Sequence, residues 1–205
     1  MVVAGSVVSL ARADMIVTEG VQPWHLCATC HGLDGISAMA RFPKLAGQRP
    51  AYIVKQVRDF RDGRRSNDGG QMQATASEIN DDDLAKTASY FAGLPPPPPD
   101  GSLAKSSIEW RRGATLYQDG DTSAAIPRCA ACHEDAAAGH PQGPFLSAQH
   151  AAYLVKQLRD WRAGVRTNAE QMPAIAAKLS DQDIDALATF LATTPRSRTD
   201  ATAAQ

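Results

Sequence analysis

The sequence predicts an all-α protein built from two tandem copies of one domain. Three observations predict it. The first is an internal repeat at an offset that drifts from 102 to 100 residues. Tyr52–Arg61 aligns with Tyr153–Arg162, with seven of the ten positions identical, which is far too close for chance. Gly63, Arg65 and Asn67 align with Gly164, Arg166 and Asn168, and Gln71-Met72 with Gln171-Met172. The second is helical periodicity inside each copy. The third is that no run alternates apolar and polar residues long enough to make a sheet.

In order along the chain, Val2–Leu10 is an apolar run followed by Ala11-Arg12-Ala13, an Ala-x-Ala cleavage pattern. Residues 1–13 are therefore expected to be a signal peptide, with the mature chain starting near Asp14. A run of this length is too short to cross a bilayer, which needs about 20 residues. Pro50–Asp62 places Tyr52, Ile53, Val57 and Phe60 on one side of a helix, with Lys55, Arg58, Asp59 and Arg61 on the other. Asn80 and Ser180 are expected N-caps, with Asp83 and Asp183 three residues later. They open helices over Asp81–Gly93 and Asp181–Thr193, which Pro95 and Pro195 stop. Leu84, Ala88 and Phe91 form the buried stripe of the first, and Ile184, Leu187, Ala188 and Leu191 that of the second. A further helix over Ser107–Tyr117 leads into the second copy. Residues 14–94 and 101–195 are thus expected to be the two domains. Between them, residues 95–100 hold five consecutive prolines, which favour an extended, semi-rigid spacer. Residues 196–205 are polar and expected to be disordered.

All four cysteines fall in two Cys-x-x-Cys-His motifs, Cys27-Ala28-Thr29-Cys30-His31 and Cys129-Ala130-Ala131-Cys132-His133. A thioredoxin-like pair would sit in a βαβ context, which is missing. A four-thiolate zinc site would bring its pairs within roughly 15–20 residues of each other and needs no histidine after each. The pattern is that of covalent c-type haem attachment. Two thiols about one turn apart add across the two vinyl groups, and the next imidazole reaches the iron. Two covalently bound haem c groups are expected, held by Cys27, Cys30, Cys129 and Cys132, with His31 and His133 as iron ligands. Such haems are attached on the outer side of the energy-transducing membrane, which places the chain in the periplasm.

The second axial position decides between an open and a filled iron. Met72 and Met172 occupy equivalent places about forty residues after each histidine, in what reads as a loop. Their equivalence points to axial ligation, which raises the potential; packing methionines are the alternative. Met39 has no counterpart and reads as core. The Phe42–Gln48 and Gly143–Gln149 loops share Pro43/Pro144, Leu45/Leu146 and Gln48/Gln149. Such a loop could offer a carbonyl to the other ring nitrogen of the histidine, or be only a helix entry turn. The basic stripes Lys55/Arg58/Arg61/Arg65 and Lys156/Arg159/Arg162/Arg166 would face haem propionates, an acidic partner or simply solvent. Tyr52 and Tyr153 read as core aromatics, and His25, His140 and His150 as surface residues. The net formal charge of −1 gives no basic footprint for nucleic acid.

The run Phe42-Pro43-Lys44-Leu45-Ala46-Gly47-Gln48, then Tyr-x-x-Lys-Gln-x-x-Asp-Phe, Arg-x-Asn, the methionine and Leu-Ser-Asp-x-Asp resembles the dihaem cytochrome c4 family across Gly20–Thr194. The insertion Asp119–Pro127 is also similar. The chain departs from that pattern at Gly143-Pro144-Phe145, in its short first helix and in its proline linker. The resemblance implies two tandem cytochrome c-type domains of class I fold, each with one covalent haem. It implies ligation by His31 with Met72 and His133 with Met172, and haems that face each other through their propionates. It further implies no catalytic residue and a periplasmic electron carrier between respiratory components, such as a cytochrome bc1-type complex, and a terminal oxidase. Membrane association would come only through partners. The alternative is the cytochrome subunit of a flavin-dependent sulfide dehydrogenase or another dehydrogenase complex. A peroxidase would need an open iron, against which the paired methionines argue.

Overall fold

The computed structural model describes residues 20–101, 107–133 and 143–196. The expected signal segment, Met15, His140 and residues 197–205 lie outside them. Helices α1 (Trp24–His31), α2 (Pro50–Arg61), α3 (Gln71–Ser77) and α4 (Asp81–Gly93) make the first half. The second half holds α5 (Ile108–Gln118), α6 (Ala130–His133), α7 (Ala151–Arg162), α8 (Met172–Ala176) and α9 (Asp181–Thr193). Among the described residues the only β feature is one isolated antiparallel bridge, Asp121 to Ile126.

The helix ends follow from local chemistry. The Asn80 side chain accepts from Asp83 N–H at 2.9 Å, and Ser180 forms a full capping box with Asp183. Asp81, Asp82 and Asp83 sit in the first turn of α4, where the helix dipole favours anions. The expected stripes are buried: Leu84, Ala88 and Phe91 in α4, and Ile184, Leu187, Ala188 and Leu191 in α9. Gly113 lets α5 cross α9 closely, since a Cβ there would lie 2.1 Å from the Ala186 carbonyl oxygen. The aromatic fill differs between halves. Trp24 stacks on Tyr90 at 4.4 Å in the first, whereas Trp110 meets Phe190 edge-on at 5.1 Å in the second.

Several expectations are corrected by how the halves dock. Met39 is exposed rather than core. His150 is not a surface residue: its Nε2 lies 2.9 Å from Ser37 Oγ and 3.0 Å from Ser37 O, across the junction. Buried Lys44 donates to Asp100 at 2.6 Å and to Ala148 O at 2.9 Å, so the end of the proline linker is pinned to both halves. Arg196, the first residue of the expected disordered tail, is buried and donates to Gly47 O at 2.7 Å. Its guanidinium and that of Arg49 lie 4.9 and 4.4 Å from the Phe145 ring centroid.

Candidate haem sites

Each Cys-x-x-Cys-His motif ends in a helix, so the thiols and the imidazole are set one turn apart. The first spans the end of α1; in the second, Cys129 precedes α6, which carries Cys132 and His133. The His31 Nδ1–H donates to Pro43 O at 2.9 Å, and the His133 Nδ1–H to Pro144 O at 2.9 Å. A carbonyl only accepts, so it fixes the proton on Nδ1 and leaves Nε2 of the neutral ring with a lone pair able to bind a metal. Burial lowers the His31 pKa, which keeps that ring neutral. Burial pushes the Cys27 thiol up to about 11, with a smaller push from Cys30, and the Cys129 thiol also up to about 11. Among the described residues no cluster of three or more His, Cys, Asp or Glu could hold a metal ion.

Both halves open into one cavity of about 1140 Å³, above the roughly 300–1,000 Å³ of a single small-molecule pocket. Cys27, His31 and Met72 line it from one half, and Cys129, Cys132, His133 and Met172 from the other. Cys30 does not line it; it is half-buried beside the Thr29 hydroxyl. Met72 and Met172 stand in first turns of helices, not in a loop. The devices differ: the Asp68 carboxylate accepts from Met72 N–H and Gly70 N–H, whereas α8 has Pro173 next to Met172.

The basic stripes divide. Arg58 and Arg61 pair with Asp81, and Arg159 and Arg162 with Asp181, on exposed faces. Arg65 and Arg166 are buried at the junction and line the cavity. Arg65 donates to Gln56 Oε1 of its own half at 2.8 Å, and to Gln157 Oε1 at 2.9 Å and Tyr153 Oη at 3.1 Å of the other. Arg166 mirrors it with Gln157 at 2.7 Å, Gln56 at 3.1 Å and Tyr52 at 3.4 Å. Tyr52 and Tyr153 are thus seam residues, not simple core. Burial works to raise the Tyr153 phenol, but Arg65 and Arg166 outweigh it and hold it below its usual value. Neither guanidinium forms an ion pair among the described residues. Two buried cations whose hydrogen-bond acceptors are all neutral side chains leave room for an anion beside them, and a haem brings two carboxylates. The donor set, the cavity and this charge deficit all fit haem.

Sequence reasoning set Arg65 and Arg166 in stripes facing propionates, a partner or solvent, but missed that they, with Gln56, Gln157, Gln48 and Gln149, form the seam between the halves. The signal was present, since all recur in both copies, but repetition alone gives no role. It also missed Asp59, which is buried and accepts from Lys55, from Arg64 and from Asn168 of the other half. Burial works to raise its pKa, but those bonds outweigh it and hold the carboxyl below the usual range. A depressed acid stabilises fully above its unfolded pKa of about 3.9 and loses that contribution as pH falls below it. Melting temperature should therefore drop on acidification below about pH 4, and Asp59→Asn should flatten that slope. An unchanged acid slope in the variant would count against the assignment.

Residues 110–195 match the family model described as cytochrome c, and residues 24–91 match that described as cytochrome c oxidase, cbb3-type, subunit III. Cytochrome c4 of Pseudomonas aeruginosa is 36% identical over 187 residues, covering 89% of this chain and 90% of that protein. A thiosulfate dehydrogenase electron acceptor of Stutzerimonas stutzeri is 38% identical over 170 residues, covering 81% and 77%. The crystal structure of reduced recombinant cytochrome c4 from Pseudomonas stutzeri superposes with a TM-score of 0.71 at 34% identity, covering 82% of this chain and 93% of that one. Two cytochrome c domains mean two covalent haem c groups, carried on the two cysteine motifs, in an electron-transfer protein rather than an enzyme. With both halves matched and relatives spanning nearly the whole chain, this protein belongs to the dihaem cytochrome c4 family.

Proposed function

We propose that the chain is a periplasmic shuttle whose irons are ligated by His31 with Met72 and by His133 with Met172, and that it passes electrons from respiratory donors to a terminal oxidase. The observation that carries this reading is that equivalent His and Met residues of both halves face one shared cavity. Bound haem supplies a one-electron ferric–ferrous couple. The chain's own residues do the rest. The Pro43 and Pro144 carbonyls orient the imidazoles and raise their basicity. The thioethers fill the remaining position, exclude water and favour the reduced state. Arg65 and Arg166 offset the carboxylates. No described helix is long and apolar enough to cross a membrane.

A second reading is favoured by the 38% identity to a thiosulfate dehydrogenase electron acceptor. Here the chain accepts electrons from a periplasmic dehydrogenase. Stopped-flow kinetics on the holoprotein separate the two. Fast oxidation by a purified terminal oxidase with slow reduction by a sulfur-compound dehydrogenase supports the oxidase shuttle. The reverse pattern, or a stoichiometric dehydrogenase on purification, overturns it in favour of the second.

A further inference from the structure

The loops that orient the two proximal histidines are each held by a glutamine from the opposite half. The Pro43 carbonyl that accepts from His31 belongs to the same peptide group as the Lys44 N–H. That N–H donates to Gln149 Oε1 at 2.8 Å, and Gln149 Nε2 returns a bond to Lys44 O at 3.0 Å. The second half repeats this in mirror image. The Pro144 carbonyl accepts from His133, and the Phe145 N–H of the same peptide donates to Gln48 Oε1 at 2.9 Å, while Gln48 Nε2 donates to Phe145 O at 3.0 Å. Gln48 and Gln149 are both buried. Each is held in place by one more bond to its oxygen, from Arg49 N–H at 3.0 Å and His150 N–H at 3.1 Å.

We infer that Gln149 is a positioning residue for the haem at His31 and Gln48 for the haem at His133, so that each half tunes the other's iron. Two physical facts carry this, and both rest on the ligand reading above. A peptide group is planar, so fixing the direction of its N–H fixes the direction of its C=O. Hydrogen bonds in series also polarise one another, by roughly 10–30% per bond. An acceptor on the Lys44 N–H therefore draws electron density toward the Pro43 oxygen and strengthens its bond to the His31 Nδ1–H. A more strongly bonded imidazole is a more basic ligand and favours ferric iron. The two chains, Gln149 to peptide to His31 and Gln48 to peptide to His133, cross at the junction. The two potentials are thereby tied to domain docking without a direct bond between the two sites.

The test is a spectrally resolved redox titration of the holoprotein with Gln149→Ala and Gln48→Ala, each paired with Gln→Met, which keeps the side-chain length and the packing. The Nδ1–H proton resonances of His31 and His133 in the reduced, isotope-labelled protein give a second readout. The expected result is crossed. Gln149 variants raise mainly the potential of the haem at His31 and move the His31 Nδ1–H resonance upfield. Gln48 variants do the same at His133. A merely structural role would shift both haems alike in every variant. Equal shifts, or shifts confined to the haem of the mutated half, with both histidine-ligated spectra intact, overturn the relay and leave the ligand reading standing. A wild-type protein whose spectra show no histidine ligation overturns both.

Discussion

Met72→Leu is expected to lower the potential of the first haem by on the order of 100 mV, within the ~0.8 V range that axial ligation spans, and to leave the second nearly unmoved. The Met-to-ferric-iron charge-transfer band should fall to half its wild-type intensity. The reason is ligand softness. A neutral thioether favours ferrous iron, and the oxygen donor that replaces it favours ferric. Leucine is the right substituent because Met72 packs against Val57, Phe60, Ala76, Ile79 and Leu84, and a volume-conserving swap there costs less than about 1.5 kcal/mol. A loss of potential is then not confused with a loss of fold. Met172→Leu should give the same result at the second haem, although Met172 is presented by a different turn. An unchanged potential in either variant would remove that methionine from the ligand set.

The sequence made the sites more legible than the seam between the halves. The Cys-x-x-Cys-His motifs, the caps at Asn80 and Ser180 and the stops at Pro95 and Pro195 act within a few residues, so α4 and α9 have the expected bounds. Asp59 shows what local reasoning loses. Its place on α2 follows the polar period, and in an isolated domain it would face water. It is buried because Asn168, 109 residues later, closes over it. Tyr52, Tyr153 and His150 were misread for the same reason. The repeat identifies polar positions shared by both copies, yet a shared polar residue reads as solvated until the second copy is known to sit upon it. Arg58 and Arg61 lie on the solvated face that was one reading of their stripe, and their partner Asp81 opens the next helix of the same half. The seam role of Arg65, in the same stripe, was hidden because two of its four acceptors belong to the other half.

That sharing sets the expected result for Arg65→Gln, which should lower both haem potentials and loosen the docking of the halves. Reduction adds negative charge, so a nearby buried cation favours it; loss of that cation is worth on the order of 1 kcal/mol, or tens of millivolts, at each haem. Both haems respond because both sites open into the one cavity that Arg65 lines. The stability loss has a separate origin. Gln157 Oε1 takes bonds from Arg65, Asn67 and Arg166, and Gln56 Oε1 from Arg65, Arg166 and Asn168. Removing the guanidinium thins both sets and leaves Tyr153 Oη without its donor, at about 1–3 kcal/mol for each buried group left unsatisfied. Arg65→Lys separates the two effects. It keeps the charge but not the planar fork that reaches acceptors in both halves. The potentials should return toward wild type while the melting temperature stays low. A shift confined to the haem at His31 would mean that the seam is two independent sites placed side by side, and a lysine variant with the potentials of the glutamine variant would mean that geometry, not charge, sets them.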